Sequence, residues 1–424
     1  MGSMIHLAVG RLEIDWGKNS GFSDHSPLFQ PADVAQVPYY YVKEGGETGI
    51  DSSGQEEYEL FTEYKEGMSK PLGQVVDRIH LLGHTLEHCE REFEYLSRLN
   101  TFDDRRFTFK ELKQALISID VNAISADYGD MGEDFGKFFR RQMFDRLGLG
   151  GIAKDPDYAR NNANEGMENL SAYTILRLLA LNPDARELPV TWQFADVEEG
   201  GWADRQMFVR SLDQSKRFLI VTEGSSDAKI IQHAFELLKP HIADFFDFVD
   251  MEEGYPFSGT GNLFRFLQGL ISISLQNNVV VIYDNDAEGV ANYERSRTLN
   301  VPANMVILKL PDSPDFAEFG TIGPNGRHKA DINGRAAAIE CYLDLGAQPL
   351  VRWTSFNTRT DTYQGELVHK TSYMRSFLDQ RERVEGYDYS RIEAVLNMII
   401  TSCIRMREAV LVAAMDEMVT AAEP

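Results

Sequence analysis

Hydrophobic positions follow two different periods along the chain, and the change of period divides it into parts. In the first sixty residues, short alternating stretches such as "MIHLAVGRLEIDWG" and "VPYYYV" lie between clusters of Gly, Ser and Asp, which predicts a small antiparallel β element. From Leu72 onwards, apolar residues recur at helical spacing through "PLGQVVDRIHLLGHTLEHCEREFEYLSRL", which predicts one long amphipathic helix. Further helices are predicted over "FTFKELKQALISI", "DFGKFFRRQMFDRLGL" and "SAYTILRLLAL".

The period changes at residue 217. The apolar runs "FLIVT", "FFDFVDM", "VVVIYD" and "MVILKL" alternate with helix-length segments, which is typical of a parallel sheet with helices on its faces. A short helix is predicted over "RAAAIECYLDL", and a terminal helix over "IEAVLNMIITSCIRMREAVLVAAM". We therefore predict a mainly helical N-terminal domain with a small β element over 4–215, an α/β domain over 216–345 and a C-terminal extension with a terminal helix over 346–424.

Composition narrows the class of protein. Of 424 residues, 43% are apolar, which is enough for ordinary cores. No run of about 18 apolar residues occurs and the N-terminus lacks a secretory signal pattern, so we expect a cytoplasmic protein that makes no membrane contact. "MGS" ahead of Met4 is typical of an expression tag, so we expect the natural chain to start at Met4. The three cysteines are too far apart for CxxC zinc ligation.

The charge balance restricts how the protein can meet nucleic acid. Asp and Glu number 66 against 42 Lys and Arg, a net charge of −24 that repels phosphate from most of the surface. Contact with a nucleic-acid backbone therefore has to be local, assisted by metal or shared with a partner. The cations that we consider for such contact are Arg295, Arg297, Arg327 and Lys329, and for each of them a solvated surface charge is the alternative.

Carboxylates follow two strands of the predicted parallel sheet. Glu223 comes directly after "FLIVT", and Asp284 comes directly after "VVVIY", with Asp286 two residues further on. Ligands of open parallel sheets bind beyond the carboxyl ends of the strands. Carboxylates gathered there repel one another unless a cation neutralises them, and a hard ion such as Mg²⁺ prefers oxygen ligands. The pattern predicts a Mg²⁺ or Mn²⁺ site, although Asp227 also suits a helix start and "DND" also suits a turn.

Glycines near these carboxylates support the same interpretation. Gly224 and Gly289 would allow close approach of the backbone to a ligand or a sharp turn into the following helix. The loop "FSGTGNLFRFL" leads into a predicted helix N-terminus, which is a favourable place for a phosphate group.

The combination of Glu223-Gly224-Ser225-Ser226-Asp227 with Asp284-Asn285-Asp286 resembles the Toprim domain, a metal-binding α/β module of topoisomerases, bacterial primases, recombination mediators and OLD-type nucleases. This resemblance covers about 130 of the 424 residues. The N-terminal stretch "GRLEIDWGKNSGFSDHSPLF" resembles the first domain of bacterial HEPN/Toprim-associated proteins, which occur in anti-phage defence.

The resemblance implies roles for individual residues. Glu223, Asp284 and Asp286 would hold one or two Mg²⁺ ions, with Asp227 as a further ligand or a supporting carboxylate. Lys370, or Lys329 as a second choice, would stabilise developing negative charge, and Glu340, on the predicted helix, would serve a second metal. The alternative is a solvated surface lysine for either Lys370 or Lys329, and an ordinary exposed helix acid for Glu340. The expected activity is metal-dependent endonuclease cleavage of DNA or RNA, in an effector or toxin of anti-phage defence.

Regulation and rival functions stay open at this point. The ATP-binding pattern GxxxxGK[ST] is absent, so nucleotide control would require an ATPase partner or another phage-sensing protein, and a homo-oligomer is compatible with the sequence. HEPN ribonucleases use an Arg and a His without metal, and Arg78 and His84, with five residues between them, fit that spacing. A sensor derived from a Toprim domain that binds without cutting is the non-enzymatic alternative.

Overall fold

The computed structural model forms two compact units, Met1–Leu212 with Arg407–Pro424, and Asp213–Met406. It describes residues 2–50, 56–98, 107–124, 128–129, 133–143, 146–147, 165–249, 260–324, 326–357 and 362–422. In these ranges, no helix combines the length and the apolar character that crossing a membrane requires. The predicted extension 346–424 is not a separate unit, because residues up to Met406 belong with the parallel sheet.

The first unit is built on a large, mostly antiparallel sheet. Its path runs β3-β5-β8-β1-β2-β7, with β4 and β6 paired to β5 beside that path. The strands are β1 Met4–Val9, β2 Leu12–Lys18, β3 Val34–Val42, β4 Thr48–Ile50, β5 Glu56–Pro71, β6 Tyr128–Gly129, β7 Glu133–Asp134 and β8 Pro189–Gln193. The β part is therefore larger than the small element predicted, because β8, far along the chain, pairs with both β1 and β5.

Helices pack against this sheet in the first unit. They are α1 Leu72–Leu81, α2 Leu86–Arg98, α3 Phe109–Ile117, α4 Phe135–Gln142, α5 Ala172–Leu179 and α6 Ala195–Glu199. The prediction of one long helix from Leu72 is wrong, because the chain breaks between α1 and α2. Gly83 has φ +100°, a conformation that favours glycine, and the Thr85 hydroxyl accepts the His88 N–H at 3.3 Å to start α2.

The second unit contains the predicted parallel sheet, and this prediction is confirmed. Its order is β10-β9-β11-β13, with all pairs parallel. Every residue of β11 is buried, as expected for a Val- and Ile-rich strand covered on both faces. Strands and helices here are β9 Phe218–Thr222, β10 Phe246–Phe248, β11 Asn278–Tyr283, β13 Met305–Lys309, α7 Ser225–Leu238, α8 Thr260–Ser272 and α9 Ala287–Ser296.

Two smaller sheets follow the parallel one in the second unit. The strand β12 Asn285–Asp286 pairs with β16 Ala336–Ala337, and a further sheet has the order β15-β14-β17-β18. The helix predicted over "RAAAIECYLDL" is wrong, because β16 and a 3-10 helix, Ile339–Tyr342, take its place. The remaining elements are β14 Phe319–Gly323, β15 Gly326–Ala330, β17 Val351–Asn357, β18 Thr362–Leu367, α10 Lys370–Leu378 and α11 Ser390–Ala422.

Candidate metal centre

Two neighbouring strands deliver the first carboxylates to the same edge of the parallel sheet. In the β9–β11 pair, Thr222 lies opposite Ile282, so both strands end at the same level. Glu223 follows β9 directly, and Asp284 follows β11. The Asp284 N–H donates to Glu223 Oε1 at 3.2 Å, which joins the two strand ends.

Asp286 begins helix α9 from the end of the short strand β12. Its Oδ1 accepts the N–H groups of Glu288 at 3.0 Å and Gly289 at 2.7 Å, which is the geometry of a helix cap. The interpretation of "DND" as a local turn is wrong, because Asn285 and Asp286 form strand β12 and the helix follows at once. One carboxylate oxygen is used by the cap, while Oδ2 makes no hydrogen bond to any residue that the structure describes.

Asn285, between the two aspartates, is completely buried and braces the loop. Its Oδ1 accepts from Lys309 Nζ at 2.7 Å and from the Gly334 N–H at 2.9 Å, and its Nδ2 donates to Asp312 Oδ1 at 2.9 Å. Sequence reasoning missed this brace. The motif offered Asn285 as a signal, but Lys309, Asp312 and Gly334 are distant in sequence.

Asp227 and Glu340 lie at the same end of the sheet. Asp227 is 8% exposed, and its Oδ2 accepts the Gly224 N–H at 2.9 Å, so it does begin helix α7 as a capping acid. It also lines a small gap beneath the strand ends together with Asp284 and Ile339. Glu340 is 5% exposed, which excludes the alternative of an ordinary exposed helix acid.

Burial and mutual repulsion disfavour the charged forms of these carboxyl groups. Burial, followed by the charge of Asp286, raises the pKa of Glu223 to about 9. Burial and then Glu340 raise the pKa of Asp227 to about 7, and burial with the charges of Asp227 and Glu223 raises the pKa of Asp284 well above its usual value. Burial also raises the pKa of Asp286.

The donor set fits a hard divalent cation. All its members are carboxylates, and within the described ranges no Lys or Arg forms an ion pair with Glu223, Asp227, Asp284 or Asp286. The same ranges contain no three Asp, Glu, His or Cys side chains already drawn together as a metal cage.

Gly289 is required at this site, whereas Gly224 is not. A Cβ on Gly289 would lie 2.4 Å from the Asp284 carbonyl oxygen and 2.9 Å from Glu223 Oε1. A Cβ on Gly224 would meet Asp227 Oδ2 at 3.6 Å, an ordinary contact, and its φ of −138° suits any residue. The close approach expected of both glycines therefore holds for Gly289 alone.

Gly259 of the predicted phosphate loop lies outside the described residues.

The predicted cations take different positions. Lys370 is exposed at the start of α10, close enough for its charge to lower the pKa of Asp227. Arg327 and Lys329 are exposed on β15, where Lys329 Nζ lies 3.3 Å from Glu318. On α9, Arg295 lies 3.8 Å over the Phe264 ring, and Arg297, just after the end of this helix, pairs with Glu294 at 3.4 Å.

The Arg78 and His84 pair lies in the first unit. Arg78 is fully buried in α1, where Nε donates to the Pro27 carbonyl at 2.9 Å and Nη2 to the Phe29 carbonyl at 3.1 Å. His84 follows the end of α1, and burial lowers its pKa to about 3, with a further contribution from His88. The Arg78 guanidinium thus holds the backbone of the Pro27–Phe29 segment.

Comparison with known proteins gives one match. The family model of the HEPN/Toprim N-terminal domain 1 matches residues 1–216, slightly more than half of the 424 residues. Neither the curated proteins nor the solved structures contain a match. The resemblance stated for the N-terminal stretch is thereby confirmed. The chain belongs to the family defined by HEPN/Toprim N-terminal domain 1.

Proposed function

We propose that this protein is a metal-dependent nuclease that cuts phosphodiester bonds at the cluster of Glu223, Asp284 and Asp286. The observation that carries the proposal is the cluster itself, in which buried carboxylates at two adjacent strand ends raise one another's pKa values and have no cationic partner within the described ranges. Membership of a HEPN/Toprim family supports a nuclease-related function. The motif resemblance supports a Toprim-type domain around the parallel sheet.

Each part of the cluster has a distinct task in this proposal. Glu223, Asp284 and Asp286 would hold Mg²⁺ or Mn²⁺, with Asp227 and Glu340 as carboxylates for a second ion. A bound ion would polarise the phosphodiester and lower the pKa of a water molecule. The Asn285 brace holds the loop between the two aspartates in place.

Lys370 is the candidate for stabilising negative charge on the substrate. It lies at the exposed start of α10, and its charge already acts on Asp227. A positive charge at the rim would attract phosphate to a surface that is otherwise strongly acidic. Lys329, on β15, is the weaker candidate, because it already pairs with Glu318.

Isosteric substitutions test the proposal. Glu223→Gln and Asp284→Asn keep side-chain size while removing charge, and Glu294→Gln, on the exposed face of α9, is the matched control. The substrates are plasmid DNA, single-stranded DNA and transfer RNA, each with Mg²⁺ or Mn²⁺. We expect cleavage by the parent and the control only. Equal cleavage by the parent and both site variants would refute the assignment.

The biological role that we propose is an effector or toxin of anti-phage defence. The N-terminal domain, an ATPase acting in trans or a phage-sensing protein would hold the nuclease inactive. The resemblance of the N-terminal stretch to HEPN/Toprim-associated proteins of anti-phage defence supports this role, and the lack of an ATP-binding pattern in the sequence is why an ATPase would have to act in trans. Sequencing of cellular DNA and RNA after induction of the parent and of Asp284→Asn would identify the target.

A sensor that binds without cutting is the second candidate. Retained nucleic-acid binding by the parent, with no turnover under Mg²⁺ or Mn²⁺, would select this function. The Arg78 and His84 ribonuclease stays a prediction, and the burial of Arg78 does not favour it.

A further inference from the structure

The sheet β15-β14-β17-β18 carries an exposed aromatic cluster at one end of its β17–β18 pair. Phe356 is 48% exposed and Tyr363 is 56% exposed, and their ring centroids are 5.1 Å apart. The Trp353 ring lies 6.3 Å from the Tyr363 ring. We call Trp353, Phe356 and Tyr363 the aromatic platform. Large exposed aromatic groups on an acidic, polar surface require a reason.

Strand register places all three side chains on the same face. Phe356 pairs with Tyr363, and Trp353 pairs with Gly365. The register shifts between Trp353 and Ser355, which adds one residue to β17. Because side chains alternate along each strand, this bulge brings Trp353 and Phe356, three residues apart, to the face that Tyr363 shares.

Glycines on the two flanking strands lie on either side of the Trp353 ring. A Cβ on Gly365 would lie 3.0 Å from Trp353 Cε3, and a Cβ on Gly323 would lie 3.3 Å from Trp353 Cδ1. Cδ1 and Cε3 both lie on the edge of the indole nearest its Cβ, so the base of the ring fits between Gly323 on β14 and Gly365 on β18. The Trp353 side chain is partly exposed.

Backbone pairing brings Gly365, beside Trp353, close to the carboxylate cluster. The Gly365 N–H donates to the Arg335 carbonyl at 3.4 Å, and Arg335 forms a β-bridge with Asp286. Two such steps span about 10 Å, because neighbouring strands lie about 4.8 Å apart. The aromatic platform therefore starts beside the site where we propose that a phosphodiester is cut.

The charge of this sheet also differs from that of the chain. Its strands carry Arg327, Lys329 and Arg352 against one acid, Glu366, whereas the whole chain has a net charge of −24. Within the described ranges, Arg327 and Arg352 form no ion pair. Register places them on the face opposite to the platform, so they contribute local attraction over the Debye length of about 8 Å rather than contact with a base.

We infer that the aromatic platform stacks an unpaired base next to the scissile phosphodiester, so that the substrate is single-stranded nucleic acid or an unpaired segment. Aromatic rings bind bases by stacking, whatever their sequence, but only where the bases are free of a duplex. This inference rests on the proposed nuclease function, because it defines the substrate of that site. Its binding test works without turnover.

Fluorescence anisotropy in EDTA tests the platform separately from cleavage. The probes are a labelled mixed-sequence single-stranded DNA, the corresponding RNA and the blunt DNA duplex. We expect Phe356→Ala and Tyr363→Ala each to weaken binding of both single strands roughly tenfold, and Tyr363→Phe to restore it. Tyr64→Ala is the matched control, because Tyr64 is 66% exposed on β5 in the first unit.

The outcomes separate the two proposals. If Asp284→Asn abolishes cleavage while Phe356→Ala and Tyr363→Ala bind single strands as tightly as the parent, the stacking proposal is refuted and the nuclease proposal is retained. If the platform variants bind single strands more weakly but the parent cleaves no substrate, the stacking proposal is supported and the nuclease proposal is refuted. Tighter parental binding of the duplex than of either strand, or no binding of any probe, would also overturn the platform.

Discussion

Substitution of Gly289 by alanine probes the closest contact in the candidate site. The new Cβ would lie 2.4 Å from the Asp284 carbonyl oxygen, whereas ordinary contact starts at 3.4 Å, so the start of α9 has to move by about 1 Å. Such overpacking costs about 1–3 kcal/mol. For a unit of this size, each kcal/mol lowers Tm by about 2–4 °C.

Gly224→Ala is the matched control for that substitution. Its Cβ would meet Asp227 Oδ2 at 3.6 Å, so we expect a change within about 0.5 kcal/mol. Thermal unfolding followed by circular dichroism measures stability, and Mn²⁺ titration calorimetry measures the site. Gly289→Ala should lower Tm and weaken Mn²⁺ binding, because the added methyl also displaces Glu223. Identical Tm and Mn²⁺ affinity in the two variants would refute the described packing.

Three further predictions concern pH, the loop brace and the buried arginine. The pKa of Glu223 is about 9 in the folded protein and 4.5 ordinarily, so the folded state binds more protons than the unfolded state between these two pH values. Metal-free protein should therefore lose stability as the pH rises from 4.5 to about 9. Urea unfolding at several pH values measures this loss, and saturating Mg²⁺ should make it smaller. Asn285→Ala should cost about 1–3 kcal/mol in urea unfolding, because Lys309 Nζ and the Gly334 N–H lose a buried acceptor, and an unchanged midpoint would contradict the brace. Arg78→Met should lower Tm, because the Pro27 carbonyl loses its hydrogen-bond donor. Metal-dependent cleavage per folded molecule should stay at the parental level. If the parent cleaves RNA without metal and this substitution abolishes that cleavage, the Arg78 and His84 ribonuclease is favoured instead.

The parallel sheet could be predicted because burial on both faces requires long apolar runs. Strands β9 and β11 consist almost entirely of Val, Ile and similar residues, and the acids that follow them are visible in sequence. The candidate carboxylates could therefore be named in advance. The proximity of Glu340 could be proposed only through the family resemblance, since its position depends on the pairing of β16 with β12.

Other elements carry no local signal of their structure. The strand "GRHKA" is mostly exposed and "TYQGEL" is mostly polar, so neither shows the apolar alternation of a half-buried strand. Ala336 and Ala337 favour a helix locally, yet pairing with β12 makes them a strand. The break at Gly83 was hidden because apolar residues continue at helical spacing on both sides of it.

The central claim is that Glu223, Asp284 and Asp286 together hold a divalent metal ion. Anomalous scattering from Mn²⁺-soaked crystals of the parent and of Asp284→Asn tests it most directly. We predict a Mn²⁺ peak within about 2.0–2.5 Å of carboxylate oxygens of these residues in the parent, and a lost or much weaker peak in Asp284→Asn. A parent crystal with no peak at this cluster at saturating Mn²⁺, or an equal peak in both proteins, would contradict the account.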